Sequence, residues 1–153
     1  SDIGDEGTLE WTPLMEDRVM VVLPRDHPRA EDPDLVLGDL AEDPWIAGCE
    51  RCRANLISSA RRAGFSPRVR HSTDDTTVVL QLIMHGGGVA LMPETALDAA
   101  PAADLVVRAI PDLDNRMIGL LNRRGALAIP AVGAPRDALV AETTERLATA
   151  VMI

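Results

Sequence analysis

The sequence predicts an α/β fold in which short strands alternate with amphipathic helices. Three strand-like runs, at residues 44–47, 68–71 and 89–93, are separated by two segments with helical periodicity. The connecting loops are short, which is typical of strand–helix–strand units with parallel strands. We therefore expect the middle of the chain to form an α/β layer with a mostly parallel sheet.

Composition indicates a folded protein and argues against direct nucleic-acid binding. Of the 153 residues, 46% are hydrophobic and 25% are charged, which suits one domain or one domain of two small lobes. The formal net charge is -9 and all 15 basic residues are arginine, so the chain by itself is poorly suited to a phosphate backbone. Two cysteines are too few for a disulfide-stapled secreted fold. Because the chain has neither a leader nor a long apolar run, we expect a cytoplasmic protein or a fragment of one.

The first expected strand covers residues 18–23 and is ended by Pro24. Its apolar run lacks polar alternation, as in strands that are buried on both faces. Residues 25–28 are then expected to form a polar turn, residues 37–41 a single helical turn and residues 44–47 a short buried strand.

Two helices are expected next, the first over about residues 51–63. Its apolar side chains recur at spacings of three and four, and they are Cys52, Leu56, Ala60 and Ala63. Gly64 is placed for a left-handed C-terminal cap. The second helix begins after residues 72–75, which offer several capping oxygens, and ends at the glycines 86–88. Its expected buried face consists of Val78, Val79, Leu82 and Ile83.

The remaining elements are two strands and a final helix. The strands are expected at residues 104–110 and 116–122, and the helix within residues 130–151. Because proline is favourable only in the first turn of a helix, Pro135 predicts that the stable part begins near residue 135.

Four sequence pieces, in order and with their spacing, resemble the effector-binding domain of LysR-type transcriptional regulators. They are Asp17-Arg18-Val19-Met20-Val21-Val22-Leu23-Pro24-Arg25-Asp26-His27-Pro28, Leu40-Ala41, Ala63-Gly64-Phe65-Ser66-Pro67 and Gly87-Gly88-Val89-Ala90-Leu91-Met92-Pro93. The resemblance covers roughly residues 8–140. It implies a fold like that of type 2 periplasmic binding proteins, with two α/β lobes joined by crossing strands and a small effector in the cleft between them.

On this resemblance, residues 1–22 are a first-lobe remnant with a crossing strand, residues 23–110 are the complete second lobe, and residues 111–153 return to the first lobe. Hinges are then expected at Leu23, Pro24, Ile110 and Pro111. The family's winged helix-turn-helix and the start of its first lobe do not precede Ser1. We expect an incomplete first lobe that favours self-association as a dimer or larger oligomer, and DNA contact only through the absent N-terminal domain.

The candidate effector site combines two loops that follow neighbouring strands. If strands 45–47 and 68–71 are adjacent, both loops lie at the carboxyl edge of the sheet, where α/β proteins bind ligands. The predicted effector-binding residues are Gly48, Cys49, Glu50, Arg51, Cys52, Ser72, Thr73 and Asp74. Thr73 is the first candidate for a hydrogen bond to the effector, although capping of the second helix explains the polar residues of that loop equally well.

The pair Cys49 and Cys52 allows three interpretations. A helix N-terminus and Arg51 favour a reactive thiolate, while Glu50 opposes it, so a redox sensor is one alternative. Zinc would need about four ligands, and His71 and two aspartates of the facing loop are the nearby candidates. The third interpretation, which we favour, is that Cys52 is a small apolar packing residue and Cys49 belongs to the cleft wall.

The predicted function is therefore that of a regulatory domain that binds a small metabolite and performs no chemistry. No cofactor, metal or catalytic residue is expected: the histidines have structural explanations, and the glycines at 86–88 lack the spacing of a nucleotide loop. A stand-alone solute-binding protein is a further alternative, which the missing export signal disfavours.

Overall fold

The computed structural model describes residues 9–97, 104–111 and 113–150 of the chain. The described strands are β1 (Leu9–Asp17), β2 (Val19–Pro24), β3 (Pro44–Ala47), β4 (Arg68–Ser72), β5 (Ala90–Pro93), β6 (Leu105–Arg108) and β7 (Arg116–Arg123). The helices are α1 (Glu50–Arg62), α2 (Thr76–Met84) and α3 (Pro130–Ala150), with short 3₁₀ helices at Leu37–Leu40, Glu94–Ala96 and Ala126–Ala128. Among the described residues, no helix is both long and apolar enough to cross a membrane.

The chain divides into two compact units, and the predicted lobe boundaries stay a prediction. Unit 1 comprises the residues up to Asp17 and from Arg116 onward, and unit 2 comprises Arg18–Asn115. Leu23 and Pro24 are held inside unit 2, because β2 pairs with β5 along one edge and with β6 along the other. Ile110 and Pro111 also lie in unit 2. That these four residues act as hinges stays a prediction.

The sheet of unit 2 combines parallel and antiparallel strands. Strands β3 and β4 are parallel, and a parallel bridge between Trp45 and Val89 joins β3 to the chain that enters β5. Two backbone hydrogen bonds make this bridge: Ile46 N–H donates to Val89 O and Val89 N–H donates to Pro44 O, both at 2.9 Å. The bridge places the two-stranded sheet β3-β4 beside the three-stranded sheet β5-β2-β6, so the strands follow one another in the order β4-β3-β5-β2-β6. The predicted parallel layer is confirmed for β4, β3 and β5, while β2 runs antiparallel to its two neighbours.

Side chains on opposite faces of this sheet form two separate apolar clusters. Because side chains alternate along a strand, Val21 and Leu23 of β2 enter one cluster, with Trp45 and with Leu56 of α1. Val22 enters the other, which contains the buried face of α2. Strand β2 is buried on both faces, as predicted. Unit 2 is therefore a sheet covered by α1 on one face and by α2 on the other.

The first predicted helix matches α1 closely, whereas the face of the second was partly wrong. Leu56 and Ala60 of α1 are buried, and Gly64 after it adopts a φ of 87°. In α2 the buried side chains are Val79, Leu80 and Ile83, whereas Val78 is 43% exposed. The apolar residues of this helix outnumber the positions that face the sheet, so periodicity by itself did not identify the exposed one.

Unit 1 contains a β-ribbon, one 3₁₀ helix and α3 within its described residues. Strands β1 and β7 are antiparallel with an irregularity between Pro13 and Met15. At the end of the ribbon, Arg116 Nε donates to Asp17 Oδ2 at 2.6 Å, and the Asp17 side chain is fully buried. Helix α3 begins at Pro130, so the prediction that it starts near Pro135 was wrong. Pro130 takes the favourable first helical position, and the helix continues through Pro135 at the cost of one hydrogen bond.

Candidate functional site

The two loops predicted to face each other are neighbours in unit 2. Parallel pairing matches Ala47 at the end of β3 with Ser72 at the end of β4. One hydrogen bond continues beyond the strands, because Thr73 N–H donates to Ala47 O at 3.0 Å. The carboxyl ends of the two strands, and the loops that follow them, therefore lie side by side.

The loop after β4 is organised by its own polar side chains. Asp75 caps α2, since Oδ1 accepts from the N–H groups of Thr77 at 2.8 Å and of Val78 at 3.2 Å. Thr73 Oγ1 accepts from Asp75 N–H at 3.2 Å, which leaves the Thr73 hydroxyl proton as a donor. Sequence reasoning offered several capping residues, and the structure selects Asp75. Ser72 and Asp74 are exposed beside it.

The loop after β3 leads into α1 without an equivalent cap. Cys49 is the N-cap residue, and within the described residues its side chain makes no capping hydrogen bond. The first-turn N–H groups of α1 belong to Glu50, Arg51 and Cys52, and such groups have no partner inside a helix. Glu50 and Arg51 are both exposed, so one negative and one positive side chain flank the helix start. The resulting N-terminus offers hydrogen-bond donors and a positive dipole end.

The two cysteine side chains are close together at this helix start. Their Sγ atoms are 3.0 Å apart and carry no disulfide. Cys49 is exposed and Cys52 is partly exposed. Gly48 packs against this pair, because a Cβ atom at residue 48 would lie 3.0 Å from Cys52 Cβ and 3.4 Å from its Sγ.

Two of the three histidines, His27 and His85, occupy structural positions. His27 is largely buried; Nδ1 accepts from Arg29 N–H at 3.1 Å, so the proton is on Nε2, which lies 3.1 Å from Asp43 Oδ1. His85 caps the C-terminus of α2, and its Nδ1 donates to Gln81 O at 2.8 Å. Among the described residues, no three His, Cys, Asp or Glu side chains are grouped closely enough to hold a metal ion.

The strand order adds a segment that sequence reasoning missed. Helix α1 connects β3 to β4, which pairs with one edge of β3. Helix α2 then connects β4 to β5, whose entering chain bridges to the other edge of β3. In α/β sheets a crevice opens where the connections leave in opposite directions, here between the carboxyl ends of β3 and β5. The 3₁₀ helix Glu94–Ala96 follows β5 directly. Glu94 makes two bonds to Arg18, at 2.6 and 2.9 Å, and they raise the pKa of that guanidinium further above its usual range. The pairing of non-consecutive strands is needed to recognise that the 3₁₀ helix Glu94–Ala96 follows a strand that borders the crevice.

An open depression of about 690 Å³ lies at the other end of α2. It is lined by Arg25, Asp26, Gln81, Met84, His85 and Asp104. All of these residues except Met84 are exposed. Since small-molecule sites enclose most of their ligand, this depression is a weaker candidate than the strand-end loops.

A family model for the LysR substrate binding domain matches residues 2–144. The chain belongs to the LysR substrate-binding domain family. The resemblance inferred from the four sequence pieces is thereby confirmed. Among curated relatives of this LysR domain, the transcriptional regulator MetR of Salmonella typhimurium is 29% identical over 109 residues, which are 70% of the chain and 34% of MetR. The chain spans about a third of the length of the curated relatives that it matches.

Solved structures confirm the fold of the LysR domain. The regulatory domain of CcmR from Synechocystis PCC6803, solved in complex with 2-PG, matches with a TM-score of 0.80 at 22% identity, covering 94% of this chain and 71% of that one. The effector-binding domain of QuiR in complex with shikimate matches with a TM-score of 0.75 at 21% identity, covering 95% and 70%. The predicted type 2 periplasmic-binding-protein-like α/β fold is correct. Binding of an effector by the eight predicted residues stays a prediction.

Proposed function

We propose that this LysR domain is the effector-binding, regulatory part of a cytoplasmic transcription regulator. A small molecule binds at the loops that follow β3 and β4, and the regulator contacts DNA through a separate winged helix-turn-helix. The regulator self-associates, so a change in the effector-binding domain alters how its DNA-binding domains are presented. The domain itself catalyses no reaction. Support comes from the family membership and from relatives that are transcriptional regulators.

The observation that carries this proposal is the difference between the two helix N-termini at the sheet edge. Asp75 caps α2 internally, whereas the Cys49 side chain makes no capping bond to α1 among the described residues. Helix α1 also begins at the end of β3, the strand next to the crevice that the strand order defines. Donor groups of the first turn of α1 therefore face the position where α/β proteins receive ligands.

The charged side chains of the two loops define the kind of effector that fits. Helix N-termini favour groups that accept hydrogen bonds, above all anionic ones. Arg51 adds a positive charge at the same turn, while Glu50 and Asp74 add negative charges nearby. We therefore expect an effector with one anionic group at α1 and neutral or cationic donors, such as hydroxyl or amine groups, toward the carboxylates.

Titration calorimetry of the chain with a panel of small organic acids, hydroxy acids and amino acids tests this proposal. The best binder is then measured against Thr73→Val, which removes the hydroxyl and keeps the side-chain volume, and against Arg51→Gln. Each change is expected to weaken binding about tenfold, since losing a hydrogen bond or charge contact to a ligand costs about 1–2 kcal/mol.

Matched controls carry the same substitutions away from the loops. Thr144→Val acts on an exposed residue of α3 whose hydroxyl donates to Val140 O at 2.8 Å. Arg61→Gln acts on an exposed residue in the last turn of α1, at the opposite end of the helix from the loop. Both should leave the affinity unchanged. If the Thr73 and Arg51 variants bind as tightly as their controls, the effector site is not at these loops.

A further inference from the structure

The two cysteines occupy helix positions whose side chains point toward each other. Cys49 is the N-cap of α1 and Cys52 is the third residue of the helix. In a capped helix the N-cap side chain turns back over this third residue to reach its backbone N–H group. With cysteine at both positions, the geometry that would otherwise make a cap brings two sulfur atoms to 3.0 Å.

The backbone around the pair allows this close approach. Gly48 has no side chain, and even a methyl group there would contact Cys52 at 3.0 Å. Helix α1 holds Cys52 in place, while Arg53 N–H donates to Cys49 O at 2.8 Å and fixes the N-cap backbone. A disulfide needs an S–S separation of about 2.05 Å, so the two sulfurs would have to approach by only about 1 Å.

Both cysteine residues also lie at the surface, where small oxidants can approach them. Cys49 is exposed and Cys52 is partly exposed. Oxidation-prone cysteines are typically accessible, lie near positive charge or a helix N-terminus, and have a second cysteine within reach. Here the first turn of α1 and Arg51 supply the positive field, and Glu50 opposes it in part.

We propose that Cys49 and Cys52 form a reversible intramolecular disulfide on exposure to a hydroperoxide, which makes the start of α1 an oxidation site. The disulfide itself is independent of the effector site, whereas any effect on effector binding rests on the proposed function. If the effector binds at this helix start as proposed, the disulfide fixes the first turn of α1, and the affinity for the effector changes because the N–H groups of that turn contact the effector.

The chemistry proceeds in two balanced steps. In the first, the Cys49 thiol loses its proton and the thiolate attacks the terminal, hydrogen-bearing oxygen of the hydroperoxide. The O–O bond breaks, and the other oxygen takes up the released proton and leaves as an alcohol, or as water when the oxidant is hydrogen peroxide. Cys49 is then a sulfenic acid. In the second, Cys52 Sγ attacks Cys49 Sγ, the S–O bond breaks, and the hydroxyl leaves with the Cys52 proton as water. Two thiols are oxidised by two electrons, and an added dithiol reverses the reaction by exchange.

A non-reducing peptide map of the intact chain tests the proposal directly. The reduced protein is treated with hydrogen peroxide, its remaining thiols are alkylated, and it is digested with trypsin. Arg51 lies between the cysteines, so cleavage after Arg29, Arg51 and Arg53 separates Cys49 and Cys52 onto different peptides. The expected product is peptide 30–51 joined to Cys52-Arg53, with a protein mass lower by two hydrogen atoms and both alkylation sites lost. Dithiothreitol should restore both sites.

Serine variants separate the two steps. In Cys52→Ser the reaction should stop at a Cys49 sulfenic acid that dimedone labels, and the double serine variant should gain no label. Circular dichroism verifies that the variants fold. If a variant does not fold, the peptide map of the wild-type protein still tests whether the disulfide forms. The proposal is overturned if both wild-type thiols remain alkylatable, if one is oxidised while the other stays alkylated, or if the cross-link joins two chains.

Discussion

Gly88 offers a sharp test of how β3 is joined to the chain that enters β5. Gly88 has a φ of 143°. It precedes Val89, whose backbone bridges to β3. A Cβ atom at this position would collide with the carbonyl group of Pro44, which accepts the hydrogen bond from Val89 N–H. Gly88→Ala therefore introduces backbone strain and also pushes β3 away from the chain that enters β5.

The magnitude follows from these two effects. A non-glycine residue in such a backbone region costs about 1–3 kcal/mol. Displacing Pro44 weakens two buried bridge hydrogen bonds, at about 1 kcal/mol each. We expect a total loss of about 4 kcal/mol, which is a large part of the stability of an ordinary domain.

Gly64→Ala is the matched control. Gly64 also has a positive φ, of 87°, but a Cβ atom there would have nothing within 4 Å among the described residues. Only strain remains, at about 1–2 kcal/mol.

Thermal and urea unfolding, followed by circular dichroism, compare the two variants. At about 2–4 °C per kcal/mol for a chain of this size, Gly88→Ala should lower the melting temperature by about 12 °C and Gly64→Ala by about 4 °C. Equal losses in the two variants would refute the reasoning, because they would mean that the Pro44 contact relaxes without breaking the bridge.

Two further predictions concern the cap of α2 and the pH dependence of stability. Asp75→Ala removes the acceptor of two backbone N–H groups and should lower the free energy of unfolding by about 1 kcal/mol, whereas exposed Asp74→Ala should change it little; equal effects in urea titrations would contradict the cap assignment. The hydrogen bond from Arg29 lowers the pKa of Asp32, so the stability that this pair contributes is present above the ordinary aspartate pKa and is lost as the pH falls through the lower folded value. The difference in melting temperature between the wild type and Arg29→Gln should therefore be constant near neutral pH and vanish at pH values well below about 4; a difference that persists there would exclude the ion pair as its source.

The elements of unit 2 were predicted well from the sequence, because the residues that begin, end or orient each element lie within that element or next to it. Pro24 ends a strand, Gly64 ends a helix, and apolar spacing marks the buried face of α1. Prediction was weaker where the chain offered more than one solution. Val78 is as apolar as its buried neighbour Val79, and several oxygens could have capped α2.

The sequence by itself determined the α/β class, the order of the elements in unit 2 and the two loops that follow β3 and β4. It could not determine strand β1, because its partner β7 lies about a hundred residues away and Pro13 interrupts the strand pattern. The tertiary structure decided the strand order, and with it the crevice between β3 and β5, because hydrogen bonds between distant strands leave no trace in local periodicity. It also decided that Cys49 and Cys52 are neighbours at 3.0 Å, since their spacing allows a contact but only the N-cap backbone of Cys49 directs the two side chains together.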